Sequence, residues 1–553
     1  MGLIAASGWG WRYAGRTAWA VRGVDLDIEA GERVLLLGPS GAGKSTLLLA
    51  LAGVLGGADE GTQAGQLLVD GQHPTRRVGQ IGLVRQDPSS QIVLERVGDD
   101  VAFGCENLGV PRELIWPRVR AALGAVGLRV GLDRATQALS GGEQQRLVLA
   151  GALAMRGAAP GDAENGTIAQ PAGTDGPNRD VDDVWARVCP IPDGHEGPRV
   201  LLLDEPTANL DPAGLLEVRD AVADVVADRR TTLVLVEHRI EPWLGLIDRV
   251  VVLGASGGVF ADGAPGGVLA DGAPDDVFAV RRDELLGAGV WVPGVPTPLA
   301  PRALAPGRDD GWALRTRDLS VGYVPGRPVV EHLTLNIPRG VSTVIVGHNG
   351  VGKSALALTL AGLLGPLAGD VTAAPWLAPA PANRRQRRAC RGATGGVEQP
   401  GAWTSRQMIT RLGTVFQQPE HQFVTASVRD ELAVGLRALR WPAERIAERI
   451  GELLELLHLD DMADANPFTL SGGQQRRLSV GTVLATSPSV VIMDEPTFGQ
   501  DRVTWLDLVR LVRRLVDGGG TVISVTHDAE FRRVLGEHVI DLDDHVIGSG
   551  ARA

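Results

Sequence analysis

The hydrophobic positions of this 553-residue chain fall mostly into short unbroken runs rather than into alternation. Val34-Leu-Leu-Leu, Val200-Leu-Leu-Leu, Thr232-Leu-Val-Leu-Val, Thr343-Val-Ile-Val, Val490-Val-Ile-Met and Thr521-Val-Ile-Ser-Val each stand between polar or glycine-rich punctuation. A strand that is apolar on both faces lies between two layers, so these runs predict parallel strands of an α/β fold. Gly82-Leu-Val-Arg and Gly413-Thr-Val-Phe read as shorter strands of the same kind. Two runs lead through a glycine-rich loop into apolar helix starts, Thr46-Leu-Leu-Leu-Ala-Leu and Ala355-Leu-Ala-Leu. The most apolar longer stretch, 354–369, contains Pro366 and predicts a buried helix. No run reaches the roughly 18 apolar residues of a membrane-spanning helix. Residues 1–12 lack the basic start and apolar core of a signal peptide, so any membrane role is expected to be peripheral.

The pattern occurs twice, and repetition of this kind decides the domain organisation before any local detail does. Gly38-Pro39-Ser40-Gly41-Ala42-Gly43-Lys44-Ser45-Thr46 returns as Gly347-His348-Asn349-Gly350-Val351-Gly352-Lys353-Ser354-Ala355. A Leu-Ser-Gly-Gly run starts at Leu139 and Leu470, an apolar run closes on Asp204-Glu205 and on Asp494-Glu495, and a single histidine follows at His238 and His527. The copies stand 309 residues apart at Gly38 and Gly347, 331 at Ser140 and Ser471, 290 at the aspartates and 289 at the histidines. The separation therefore changes by more than one residue only twice, placing insertions at about 373–406 in the second copy and about 157–198 in the first. Neither has sustained periodicity, and their Pro, Ala, Arg or Gly, Pro, Asp composition predicts surface loops or disorder. The reading is two domains, 1–280 and 312–553, joined by a Pro-rich linker at 281–311 whose later part, 291–311, is semi-rigid. A small tandem duplication, 258–265 and 267–274, carries no evident chemistry.

Each copy holds the parts of a phosphate-transfer site. Glycines allow the tight path on which successive N–H groups converge on an anion, and the following helix adds its positive N-terminus. Lys44 and Lys353 would reach the β- and γ-phosphates, with Ser45 and Ser354 on Mg²⁺. Asp204 and Asp494, at the C-terminal edge of buried strands where α/β sheets place ligands, suit the metal shell. Glu205 and Glu495 suit orienting the attacking water. Taken singly, a glycine-rich turn, an acidic turn or a lone histidine is ordinary architecture; their order, met twice, is what points to chemistry.

In that order the motifs resemble those of ATP-binding-cassette ATPases over nearly the whole chain. Leu139-Ser140-Gly141-Gly142-Glu-Gln-Gln-Arg146 and Leu470-Ser471-Gly472-Gly473-Gln-Gln-Arg-Arg477 are similar to the signature motif of that family. Read without the family, each is an N-cap serine opening a helix. The resemblance implies two P-loop NTPase domains, each with a mixed β-sheet core and a helical signature subdomain. It also implies head-to-tail pairing, with each signature on the nucleotide of the opposite domain. By the same resemblance Gln86 and Gln417 sense Mg²⁺ and the transporter, and Tyr13 and Tyr323, 25 and 24 residues ahead of their loops, stack on adenine. His238 and His527 would contact the γ-phosphate, and Asp211 and Asp501 would close the loop between domains, the second in a less typical Gly499-Gln500-Asp501 setting. The implied cofactors are ATP and Mg²⁺.

Residues 86–109 and 417–437, which follow the glutamines, resemble ATPase subunits of energy-coupling-factor importers of vitamins or of cobalt and nickel ions. That resemblance implies a transmembrane coupling subunit seated on these stretches, a separate membrane substrate-binding subunit, and a place on the cytoplasmic face of the membrane. The net charge of −12 argues against nucleic acid, leaving only Arg384-Arg-Gln-Arg-Arg388 and Arg391 in its favour. Three scattered cysteines, Cys105, Cys189 and Cys390, give neither a disulfide framework nor a zinc site. Ribosome-directed twin cassettes resemble a long charged helical linker that this chain lacks, and DNA-repair relatives carry zinc cysteines it also lacks. Fused sugar-importer ATPases commonly lose consensus in one copy, whereas both copies here keep it.

Overall fold

The computed structural model describes residues 2–16, 18–57, 59–77, 79–155, 199–208, 210–254, 267–302, 311–380, 398–497 and 499–545. It divides into two compact units, Met1–Val295 and Pro296–Ala553.

In the first unit a six-stranded sheet runs in the order Ile81–Val84, Val200–Asp204, Thr232–Val236, Arg33–Leu37, Arg249–Leu253 and Val268–Gly272. The first five strands are parallel and the last is antiparallel. The unbroken apolar runs explain this: Leu35, Leu201, Leu233 and Val250 face one core while Val34, Leu202 and Val234 face another, and none is more than marginally exposed. A three-stranded antiparallel sheet, Val21–Ile28, Ile4–Tyr13 and Gly61–Val69, covers the second face and buries Trp9 and Trp11. Helices Val97–Asn107, Arg112–Ala125 and Gly141–Ala154 pack together as a helical subdomain.

The second unit repeats the plan. Strands Leu412–Val415, Val490–Asp494, Thr521–Val525, Ser342–Val346 and His538–Asp541 form a parallel sheet in that order. Strand Trp312–Val321 is the centre of an antiparallel sheet with Val330–Leu333, Asn336–Pro338 and Ala368–Ala373. The helical subdomain comprises Val428–Ala438, Ala443–Leu457 and Gly472–Ala485.

Two expectations need revision. The helix expected over 354–369 spans only Lys353–Leu360. Gly362 follows at φ 73° with its Cα packed so close that a Cβ would stand 2.7 Å from the Pro400 carbonyl carbon, and Ala368–Ala373 is already a strand. The insertion expected at 373–406 as a loop is folded at both edges. Leu377 and Trp403 are buried, Ala373 N–H bonds the Glu398 carbonyl, and Gln407 and Arg411 donate to the carbonyls of Ala380 and Leu377. The second half of the tandem duplication, to which no chemistry was assigned, supplies the sheet-edge strand Val268–Gly272. The insertion at 157–198, the first half of the duplication and the arginines at 384–391 lie outside the described residues.

The stretch expected as a linker is divided between the units. Helix Arg282–Gly287 leads to Val290 and Val292, which are buried in the first unit's core. In the second unit Thr297 N–H bonds Glu530 at 3.1 Å, and Arg302 pairs with Glu537 at 2.9 Å and with Asp517.

Candidate active sites

Both glycine-rich loops are built as the glycines require. Gly43 (φ 89°) would place a Cβ 2.6 Å from Val21 Cβ, and Gly352 (φ 101°) one 2.7 Å from Val330 Cγ2, so no side chain fits at either. Helices Lys44–Leu51 and Lys353–Leu360 begin there without a side-chain cap, leaving N-terminal N–H groups directed at the loop. Lys44 Nζ donates to the carbonyls of Gly38 (2.8 Å) and Pro39 (3.0 Å), and Lys353 Nζ to those of Gly347 (2.9 Å) and His348 (2.8 Å). Each ammonium is thus folded back onto its own loop and buried.

The carboxylates stand where the loop helices start. Ser45 stands beside Asp204 and Ser354 beside Asp494, near enough for each hydroxyl to favour the ionised carboxylate. Burial, then the neighbouring Glu205 charge, pushes Asp204 up to about 6; burial raises Asp494 as well. Asp494 Oδ1 is buried with no hydrogen-bond partner among the described residues, an oxygen of the kind a cation would satisfy. No group of three His, Cys, Asp or Glu forms a metal cluster among the described residues. The unpartnered Asp494 oxygen suits Mg²⁺, which takes one or two protein oxygens and completes its shell with phosphate and water.

Glu205 and Glu495 adopt left-handed backbone, φ 50° and 46°, a conformation a non-glycine residue holds only where its surroundings enforce it. Their N–H groups bond the ends of the adjacent strands, Val236 O at 2.8 Å and Val525 O at 2.9 Å. In the first unit two other residues singled out in the sequence meet Glu205, Gln86 Nε2 at 2.8 Å and His238 Nε2 at 3.3 Å. In the second, Glu495 accepts from the Thr526 hydroxyl (3.1 Å) and His527 N–H (3.4 Å), and burial followed by the Asp494 charge pushes it up to about 7. The His527 ring lies 3.8 Å from Glu495 and bonds Asn349 Oδ1 at 2.9 Å.

Tyr323, Ser354, Gln417, His421 and Asp494 line one cavity of about 200 Å³. Tyr13 reaches the loop helix, its hydroxyl 3.2 Å from Thr46 Oγ1. Ser140 and Ser471 cap helices Gly141–Ala154 and Gly472–Ala485 through capping boxes with Glu143 and Gln474. Neither serine hydrogen-bonds the phosphate loop of its own unit among the described residues. Asp211 and Asp501 likewise cap helices Pro212–Val226 and Arg502–Asp517.

Two features were not foreseen. Arg476, 3% exposed, donates from its signature helix to the carbonyls of Phe416 (2.8 Å) and Gln417 (2.6 Å), and burial pushes it down to about 10. The first copy has Gln145 at that position, so repetition could not flag it. Glu237, before His238, is buried, and desolvation pushes it up to about 7.

Comparison with known proteins identifies the family. A family model described as ABC transporter matches residues 21–158 and 330–498. A protein of Bifidobacterium longum named as an ABC transporter ATP-binding protein is 33% identical over 97% of this chain, which spans 64% of that protein's length. A Bacillus subtilis protein named for HMP/thiamine import is 30% identical over 94% of this chain and 86% of its own. Among solved structures, a model of ribosome-bound archaeal Pelota and ABCE1 aligns with a TM-score of 0.56 at 19% identity, over 96% of this chain and 76% of that one, a likeness of fold alone.

Proposed function

The chain belongs to the ABC transporter family and is an ATPase of it, and from that premise we propose that its two cassettes hydrolyse ATP to drive a membrane importer of the energy-coupling-factor kind. The observation that carries the catalytic half is the convergence of Gln86 and His238 on Glu205 beside the Ser45–Asp204 pair, repeated in outline around Ser354–Asp494.

In this reading the loop N–H groups and the helix N-terminus hold the phosphates, and Lys44 or Lys353 turns from its loop carbonyls to the β- and γ-oxygens. Ser45, Asp204 and Gln86, with Ser354, Asp494 and Gln417 in the other copy, would hold Mg²⁺, whose charge offsets the charge on the phosphates. Glu205 or Glu495 orients the water; His238 or His527 meets the γ-phosphate. Ser140 to Gly142 and Ser471 to Gly473, unengaged with their own loops, would complete the opposite site in a head-to-tail pair. Most of the acceleration in phosphoryl transfer comes from such placement and charge complementarity.

The importer half rests on the stretches after the glutamines. Gln91 and Gln422 bolt them to the sheet and signature helix, through Leu83 O (3.1 Å) and Ser479 O (2.9 Å). Outward they expose Val93 (61%), Phe103, Val424 (73%) and Val434, apolar side chains suited to a partner's helices. Among the described residues no helix is long and apolar enough to cross a membrane, so the path would belong to that partner. The Bacillus relative's name favours thiamine or its precursor as cargo over cobalt or nickel. Affinity isolation from native membranes tests the assignment. A polytopic membrane protein should come with the chain and be lost on Val93→Asp with Val424→Asp, whereas ribosomes or DNA without such a protein would replace the proposal.

A further inference from the structure

Glu237 is where the two sites depart most sharply from each other. It precedes His238 where the second copy has Thr526, and Arg239 follows the histidine where the second copy has Asp528. In the second unit the work is divided. Thr526 gives its hydroxyl to Glu495, while Asp528 Oδ2 accepts from Thr497 Oγ1 (2.8 Å) and Trp505 Nε1 (2.6 Å) and so holds the Glu495-Pro496-Thr497 turn. In the first unit the turn is held from the other side of the histidine. Glu237 accepts the Thr207 N–H at 3.0 Å, the Thr207 hydroxyl, and the His238 N–H at 3.2 Å. It is 5% exposed.

We propose that Glu237 is a positioning residue of the first site, which fastens the Glu205-Pro206-Thr207 turn to the His238 backbone so that Glu205 and His238 meet the reacting atoms as one rigid piece. Glu205 needs such support because its left-handed backbone persists only when fixed from several sides. The Val236 carbonyl fixes its N–H, and Glu237 fixes the turn two residues on. The exchange also removes the hydroxyl donor that Glu495 has, so Glu205 depends on Gln86 and His238 for its orientation. The inference rests on reading Glu205 as the water-orienting carboxylate.

The test uses the full chain and compares Glu205→Gln, Glu237→Gln, Glu237→Thr and Glu237→Thr with Arg239→Asp. Phosphate release at saturating ATP and Mg²⁺, KM for ATP and the thermal midpoint are measured for each. Glu237→Thr imports the second copy's residue without its aspartate and should lose most of the turnover that Glu205→Gln loses, about ten- to a hundredfold, with KM little changed. Adding Arg239→Asp restores a carboxylate for Thr207 and should recover most of the loss. Glu237→Gln keeps the shape but sets an amide against the His238 N–H, so it should fall between. Wild-type turnover in Glu237→Thr, or a loss that follows the thermal midpoint and ignores Arg239→Asp, would make Glu237 a packing residue and overturn the inference. Undiminished turnover in Glu205→Gln would overturn the reading of Glu205 beneath it.

Discussion

Glu495→Gln should stabilise the nucleotide-free protein, and by an amount that depends on pH. The carboxyl is pushed up to about 7 by burial and by Asp494, against 4.5 for an ordinary glutamate. Below about pH 4.5 it is protonated whether the chain is folded or not, and it costs nothing. Between the two values the unfolded chain is ionised while the folded chain still holds its proton, so folding takes up a proton and stability falls as pH rises. Above about 7 the folded state carries the full cost. At about 1.4 kcal/mol per pH unit of displacement, that cost is about 3–4 kcal/mol at pH 8, shrinking to under about 1 kcal/mol at pH 5. Glutamine has no charge to bury and keeps an acceptor for the Thr526 hydroxyl and the His527 N–H. For a unit of this size the gain corresponds to about 7–14 °C. Thermal unfolding followed by circular dichroism, in EDTA without nucleotide, should show the variant above wild type by that margin at pH 8 and a smaller margin at pH 5. A margin of the same size at both pH values, or a less stable variant at pH 8, would refute the electrostatic account of the site.

Other expectations follow from the loops and the turn. Lys44→Ala with Lys353→Ala should abolish nucleotide binding or turnover, measured by equilibrium ATP binding and phosphate release; full activity would mean the glycine loops are misread. Gly43→Ala puts a Cβ 2.6 Å from Val21 Cβ and 2.7 Å from the Ala20 carbonyl in a left-handed conformation that itself costs roughly 1–2 kcal/mol. Its first-site ATP affinity should fall at least about tenfold, and unchanged binding would show that the loop relaxes without loss.

Much of this was legible in the sequence because the signals are local. A short run apolar on both faces and bounded by polar or glycine-rich residues reads as a buried strand, and a serine three residues ahead of Glu143 or Gln474 could cap a helix whatever lay elsewhere. What escaped depends on contacts between residues far apart in the chain. The helix after Lys353 stops at Leu360 because Gly362 is needed against Pro400, 38 positions on, and apolar composition does not encode that approach. The edges of the 373–406 insertion are anchored by single side chains, Leu377 and Trp403, too few to show a period. Thr297 and Arg302, in a stretch read as linker, find partners in Glu530 and Glu537 more than 230 residues away. Glu237 was hidden for another reason. The repeat was traced through shared residues, and Glu237 performs its task from a position where the copies differ.

The central claim is that this chain holds two complete ATPase sites, and the pair Glu205→Gln and Glu495→Gln tests it most directly. Each variant leaves one water-orienting carboxylate in place, so steady-state Mg²⁺-dependent phosphate release by the two, measured side by side with ATP binding, reports what each site does. The account predicts that each substitution cuts turnover severely while ATP stays bound and the closed, nucleotide-trapped form accumulates. Turnover near wild type in one variant and absent in the other would contradict it, and would leave one cassette binding ATP without hydrolysing it.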